Sequence, residues 1–471
     1  MNEYNKELNN IQIDFSKLKI SPPKPIFEEQ NRHYKDINLK DFISILKDNL
    51  LNTFEINISE DLIKKLNLIF FNLMKCIYEN ILSSESNIEQ KVLDTSNIEN
   101  HNILYSIDSN VTTNRIYFIN KKLVVKLRYE IPLINYDKEL ELRKNISVLN
   151  LAPKLLYQTQ LLHSNFSIII CIEEMLKNPF YLIRNMLKEE SLELVVKKLS
   201  IYNACDFILS KRGRDKNNML DFYIIFNNKM VLEAKYNINL HLNNEKINNN
   251  YLIDKNLFNN FIKDLDIAYQ EYNKLLNDES NVFYNVLFLS HIDTNYNNMF
   301  TNIYSYLNDD DKSFINNFSL NDINNFEKEA TLKFIDFEYM SYTLLGWDVI
   351  SYLIDASYDL LKEYPFFIPL GNNIEKDKKK LLYIMTKYKN YLNMRLSSID
   401  IKDNILKSKI ELIIKTNIDI VYIYKLLKMN LIKLIIDYIN MTSENQNYIY
   451  ISKWLIERYN FVNYKLKLYN N

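Results

Sequence analysis

The residues of this 471-residue chain best placed to do chemistry are His291, Asp293 and Asn298, in the run His291-Ile292-Asp293-Thr294-Asn295-Tyr296-Asn297-Asn298. The run follows an apolar segment, 286–290, that reads as a buried strand, so the spacing predicts a loop at a strand end. A carboxylate there can accept or orient the proton of an attacking hydroxyl. A neutral oxygen donor a few residues on can hold a divalent metal without repelling phosphates. Asp293 and Asn298 fit those two roles. For the motif on its own, a solvated turn in which Asp293 merely caps the loop is the competing reading.

A second carboxylate stands in Phe334-Ile335-Asp336-Phe337-Glu338-Tyr339, where an apolar strand (332–335) ends in Asp336. A strand-end carboxylate near Asn298 is suited to holding Mg²⁺ against nucleotide phosphates, with Glu338 placed to reach the metal's surroundings or the substrate.

Those groups need a scaffold, and the hydrophobic pattern supplies one. Ile116 to Ile119 and Leu123 to Leu127 flank the polar Asn120-Lys121-Lys122, a hairpin signal. A helix of period 3.6 follows over 137–149, stopped by Pro153, and then two apolar runs, 154–160 and 167–172, read as strands. Beyond Leu176 the pattern is mainly helical: 179–209, 254–276, 347–362, 375–393 and 403–439. Residues 1–106 read as an extension with one packed helix, 60–82, residues 107–176 as a nucleotide-binding sheet lobe, and 177–471 as a helical lobe. Two Asn-rich stretches, about 213–250 and 301–329, read as inserted loops. The order is that of an α+β, bilobal, protein-kinase-like fold, with a small mixed-sheet N-lobe and a large mainly helical C-lobe.

Composition narrows the function classes. Lys+Arg 58 against Asp+Glu 59 leaves a formal net charge of -1, which gives nucleic acid no electrostatic footing. Hydrophobic content of 47% with 25% charge fits a globular chain, and the lysines Lys425, Lys428 and Lys433 interrupt the nearest approach to a membrane span, 420–439. That segment reads as a core helix. Cys76, Cys171 and Cys205 are widely spaced, without a C-x-x-C pair, and the first residues lack the apolar stretch of a secretion signal. A reducing, cytoplasmic setting is the expectation.

Asp336-Phe337-Glu338-Tyr339, followed by Tyr342, Gly346, Trp347, Asp348 and Val349 and then Tyr364-Pro365-Phe366-Phe367, resembles the signature of the choline/ethanolamine kinase family, I-D-F-E-Y through R-G-F-D-I to Y-P-F-F. Leu151 to Tyr157 is similar to that family's G-L-A-P-K-L-Y segment, and Thr113-Asn114-Arg115-Ile116-Tyr117 to its G-G-x-T-N-K-L-Y loop. The resemblance runs from about Ile107 onward, outside the two inserted stretches. It implies transfer of the γ-phosphoryl of ATP, with Mg²⁺, to the hydroxyl of choline or ethanolamine. It assigns Lys126 to the phosphates, Glu139 to orienting Lys126, Asn114 to the nucleotide loop and Glu174 to the hinge beside the adenine. Tyr339, Asp355 and Tyr450 are implied as the wall and acid that hold the amine. Family members form dimers, so a homodimer is among the expectations.

This chain departs from the family in three places. Asn110 and Val111 stand for the loop glycines, which leaves Ser109, Asn110 and Thr113 as the loop's donors to the phosphates, Ile292 stands for Asn in the family's H-N-D, and the late tryptophan pair has no counterpart on the helix around Leu426 to Ile432. A thinner aromatic cage holds trimethylammonium less well than a primary ammonium, which tilts the reading towards ethanolamine. Two other readings stay open: a catalytically weak pseudokinase that serves as a binding module, and a phosphotransferase for another small amino alcohol.

Overall fold

The computed structural model of the protein describes residues 34–53, 60–82, 98–108, 114–129, 136–163, 166–176, 181–182, 189–210, 214–215, 228–243, 255–277, 282–284, 286–294, 298–301, 332–356, 374–440 and 447–470. The chain divides into two units, one of Pro25–Ile183 with Asn298–Glu338, the other of Arg184–Asn297 with Tyr339–Asn471. Elements are numbered along the chain.

Strand-forming alternation builds the first unit. Its sheet comprises β1 (Lys35–Asn38), β2 (Asn102–Asp108), β3 (Asn114–Ile119), β4 (Leu123–Tyr129), β5 (Leu155–His163) and β6 (Phe166–Glu174), in the order β1-β2-β3-β4-β6-β5. Leu123, Val125 and Leu127 of β4 and Ile168, Ile170 and Ile172 of β6 point to one buried face. They pack with Phe42, Leu46 and Leu50 of α1 (Leu39–Thr53) and Leu66, Phe70, Leu73 and Ile77 of α2 (Glu60–Leu82). The opposite face of β4 carries Lys126 and Arg128.

Every pairing in this sheet is antiparallel, where a mixed sheet was expected. The reason is the path: α3 (Tyr136–Val148) delivers the chain to the sheet edge as β5, and a hairpin return places β6 between β5 and β4, antiparallel to both. The sheet also reaches further back than residue 107. β1, a short edge strand beginning with the charged Lys35 and Asp36, pairs with β2 from within the N-terminal extension, which contributes two helices to the core rather than one.

A second, smaller ribbon in this unit has the order β11-β10-β7, from β7 (Tyr181–Leu182), β10 (Met299–Thr301) and β11 (Leu332–Phe334). β7 falls in the stretch expected to begin a helix at 179. Its pairing with Phe300 and Thr301 keeps it extended, and α4 (Glu189–Ser210) starts later.

The second unit is mainly helical around β8 (Arg214–Asp215), β9 (Val286–Ser290) and β12 (Ser341–Thr343), with β9 central and wholly buried. Around them lie α5 (Asn228–Leu242), α6 (Lys255–Asn277), α7 (Trp347–Ala356), α8 (Ile374–Leu396), α9 (Asn404–Lys415), α10 (Ile420–Asn440) and α11 (Asn447–Asn470). The single helix expected over 403–439 is two. Thr416 is extended, and the Asp419 side chain accepts from the Tyr422 N–H at 2.7 Å to open α10. Within the stretch read as an inserted loop, α5 buries Val231, Ala234, Ile238 and Leu242 and packs on α10. A small antiparallel-sheet unit and a mainly helical one are the parts of a protein-kinase-like α+β fold.

Candidate active site

The catalytic-loop candidate leaves β9 at His291. Asp348, in the first turn of α7, holds it: Asp348 Oδ2 accepts from the His291 N–H at 3.0 Å and Oδ1 from the Ile292 N–H at 2.9 Å. Thr294 Oγ1 donates to the Asp348 carbonyl at 2.9 Å. Asn203 of α4 donates its side-chain amide to Asp348 Oδ2 at 2.9 Å and to the Leu289 carbonyl at 2.6 Å, and in turn accepts from the Tyr388 hydroxyl at 2.8 Å. Burial pushes the Asp348 carboxyl up, against the N–H donors and the nearby imidazole that hold it down.

This clamp fixes an unfavourable backbone. Ile292 has φ +71°, a left-handed conformation that a β-branched side chain rarely adopts. Two charge-assisted hydrogen bonds to the flanking amides are of the size needed to hold it, since strain of this kind is about 1–3 kcal/mol. Gly346, two residues before Asp348, also has positive φ (+81°), and a Cβ there would stand 2.3 Å from Met385 Cε. Glycine at this turn lets the chain enter α7 with Asp348 in place.

The carboxylate that the loop presents, Asp293, is half-buried. Its charge is felt by Lys433 of α10, whose ammonium donates to Asp437 Oδ2 at 2.6 Å and lies 5.7 Å from the Tyr339 ring centroid. Burial lowers the Lys433 pKa, but Asp437 and Asp293 outweigh it and hold the group above its usual value. Burial in turn pushes Asp437 up against the pull of Lys433.

The first unit assembles a separate charged cluster. Lys126 Nζ pairs with Glu173 Oε2 at 3.0 Å, Arg143 of α3 pairs with Glu173, and Arg128 with Glu139. Burial lowers the Lys126 pKa, partly offset by the negative charge of Asp336. Asp336 follows β11 in a left-handed conformation (φ +62°), and the Ile335 N–H donates to the Asn298 carbonyl at 3.0 Å, so the two candidate metal-binding residues lie side by side in this unit. Phe337 packs against the Arg143 guanidinium, 5.7 Å from the ring centroid.

The donors suit Mg²⁺ bound together with a nucleotide. Mg²⁺ typically takes one or two protein oxygens and fills its remaining positions with phosphate and water, and Asp336 with Asn298 offers that number. Among the described residues three cations, Lys126, Arg128 and Arg143, face three carboxylates, Glu139, Glu173 and Asp336.

No family model and no curated protein matches the sequence. Among solved structures the chain is similar to a choline kinase from Cryptosporidium parvum Iowa II, at 13% identity over 78% of this chain and 91% of that one, with a TM-score of 0.47. It is similar to a Plasmodium vivax ethanolamine kinase at 13% identity over 94% and 96%, with a TM-score of 0.44. A wild-type aminoglycoside 2'-phosphotransferase-IIIa in its GDP complex is also similar, at 12% over 76% and 93%, TM-score 0.37.

The residues singled out in the sequence divide between the chain's two units. Lys126, Glu139, Asn298 and Asp336 fall in the first unit, and His291, Asp293, Tyr339 and Asp355 in the second. Glu139 does not orient Lys126: Arg128 takes it, and Glu173 takes Lys126. His291, expected among the catalytic groups, has no exposed surface, and its ring lies 6.1 Å from the Tyr202 ring. Asp355 lies on α7 beside Tyr352, whose hydroxyl it influences, while the carboxylates grouped with Lys433 are Asp293 and Asp437. Glu174 is exposed at the end of β6, its N–H donating to the Lys154 carbonyl at 2.9 Å. Ser109, Asn110 and Thr113 lie outside the described residues, as do the side chains of Asn114, Glu338 and Tyr450. No helix among the described residues is long and apolar enough to cross a membrane.

Sequence reasoning gave no role to Asn203, Glu173, Asp348, Lys433 or Asp437. Asp348 was visible only as part of the Gly346 to Val349 match, and for the last two a signal was present in a lysine and an aspartate one turn apart on a core-forming helix, the spacing at which such side chains pair.

Proposed function

We propose that the protein is an ATP- and Mg²⁺-dependent kinase of a small amino alcohol, phosphorylating the hydroxyl of ethanolamine or choline, with ethanolamine favoured. The observation that carries this reading is the grouping of Lys126, Asp336 and Asn298 in one unit, a cation with two oxygen donors. Lys126 holds the phosphates. Asn298 and Asp336 hold Mg²⁺, which supplies charge neutralisation of the transferring phosphoryl group. Asp293 accepts the hydroxyl proton, and Tyr339 stands at the amine. The sheet unit binds the nucleotide and the helical unit the acceptor. The product is the phosphorylated head group, the first step towards phosphatidylethanolamine or phosphatidylcholine.

The testing experiment is Mg-ATP turnover with ethanolamine and choline offered separately. Phosphorylation of either amine is the expected result. ATP binding with no turnover of either would sink the acceptor assignment, and no ATP binding would make the protein a binding module. Lys126→Met should raise the KM for ATP about tenfold to a hundredfold, the worth of a hydrogen bond to a charged group. The fold should persist, because Glu173 keeps Arg143 as a partner. An unchanged KM in the nucleotide titration removes Lys126 from the phosphate site.

A further inference from the structure

Lys433 carries an inference beyond that function, and it rests on the amino-alcohol reading. Its side chain is 12% exposed, and its ammonium donates to Asp437 Oδ2 at 2.6 Å and lies 5.7 Å from the centroid of the Tyr339 ring. Asp293 acts on the same ammonium. The chain's own cation therefore covers a face of the aromatic ring assigned to the substrate's amine.

We propose that Lys433 is a specificity-determining residue that makes the acceptor site select hydroxyl compounds bearing a primary ammonium and reject quaternary ammonium. A trimethylammonium group has no N–H and gains its binding from desolvated aromatic faces. Here the Tyr339 face is occupied, and displacing Lys433 would break its partly buried ion pair with Asp437. A primary ammonium has three N–H donors, and the Asp437 carboxylate has lone pairs beyond the one Lys433 uses. Asp293 also acts on the Lys433 ammonium, so negative charge from two carboxylates reaches this position. A single C–C bond separates the carbons bearing the hydroxyl and the amine, so a hydroxyl delivered to Asp293 brings its ammonium to this same carboxylate pair.

The experiment compares kcat/KM for ethanolamine and for choline, with Mg-ATP, in the wild type and in Lys433→Met. The wild type should prefer ethanolamine, and Lys433→Met should raise the choline-to-ethanolamine ratio about tenfold or more by uncovering the ring. A change that merely loosened α10 would lower both values together and leave the ratio alone. A wild type that prefers choline, or a ratio within about twofold of wild type in Lys433→Met, overturns the role of Lys433 while leaving the phosphotransfer intact. No turnover of either amine by the wild type overturns the function proposed above and this selectivity with it. Where Lys433→Met does not fold or turns over neither amine, inhibition of the wild type decides. Methylammonium should compete with ethanolamine at lower concentration than tetramethylammonium, and the reverse order overturns the proposal.

Discussion

Asp293→Asn is expected to lower kcat for amine phosphorylation by about 10²–10⁴-fold, the range of a positioned general base, with an unchanged urea midpoint. The loop does not depend on this side chain for its shape: its backbone is held by Asp348 at His291 and Ile292 and through Thr294. Asparagine keeps the volume and removes only the charge and the basicity. Lys433 loses the influence of Asp293 but keeps Asp437 at 2.6 Å, so the Tyr339 ring keeps its cation. The loss should therefore appear in kcat and kcat/KM together, as for an interaction made in the transition state, with a smaller change in KM. Turnover within about threefold of wild type, measured in a coupled ADP-release assay, would remove Asp293 as the base.

What could be read in the sequence follows the range of each interaction. The helix α2 was legible because Leu66, Phe70, Leu73 and Ile77 recur at helical spacing, and all are buried against the sheet. The β3–β4 hairpin was legible from period-two alternation around Asn120 and Lys121, both of which take the positive φ of the turn. The partner of Lys126 was not, because it depends on strand register. Lys126 stands opposite Cys171, which puts Glu173, two residues along on the same face of β6, within its reach. A resemblance that assigns Glu139 says nothing of Arg128, which lies two residues from Lys126 on the same face and takes that carboxylate first.

The candidate site shows the same division. Asp293, Asn298 and Asp336 announce themselves by type and spacing next to apolar strands. The residues that hold the Asp293 loop come from far along the chain, Asn203 from α4, Asp348 from α7 and Tyr388 from α8; Asp348 falls within the signature match at Gly346 to Val349, but that match does not say that it clamps the loop, and no local pattern marks the other two. Nor does sequence show that Ile292 sits at positive φ, because the conformation is imposed by hydrogen bonds to its neighbours and is contrary to its own preference. α5 lay hidden for a different reason. Its Val231, Ala234, Ile238 and Leu242 have helical spacing, but the Asn-rich surroundings read as loop.

Asp348→Ala should lose about 3–5 kcal/mol of stability, the largest structural effect of any single side chain at this loop. Three donors, the His291 and Ile292 amides and the Asn203 side chain, would lose a buried acceptor, each worth about 1–3 kcal/mol when left unsatisfied. Relief from burying the carboxylate offsets part of that sum. Once the clamp is gone, the strain at Ile292 has nothing to oppose it, so Asp293 should lose its position as well and activity should fall with stability. Trp347, fully buried next to Asp348, gives a fluorescence readout of urea unfolding. The pH dependence supplies an independent check. Burial raises the Asp348 pKa, so between the ordinary carboxylate value and the raised one the folded state binds more protons than the unfolded chain. Wild-type stability should therefore fall as pH rises through that window, and Asp348→Ala should lack this component of the slope. A variant within about 1 kcal/mol of wild type, with the slope retained, would mean that the loop is held by something other than Asp348.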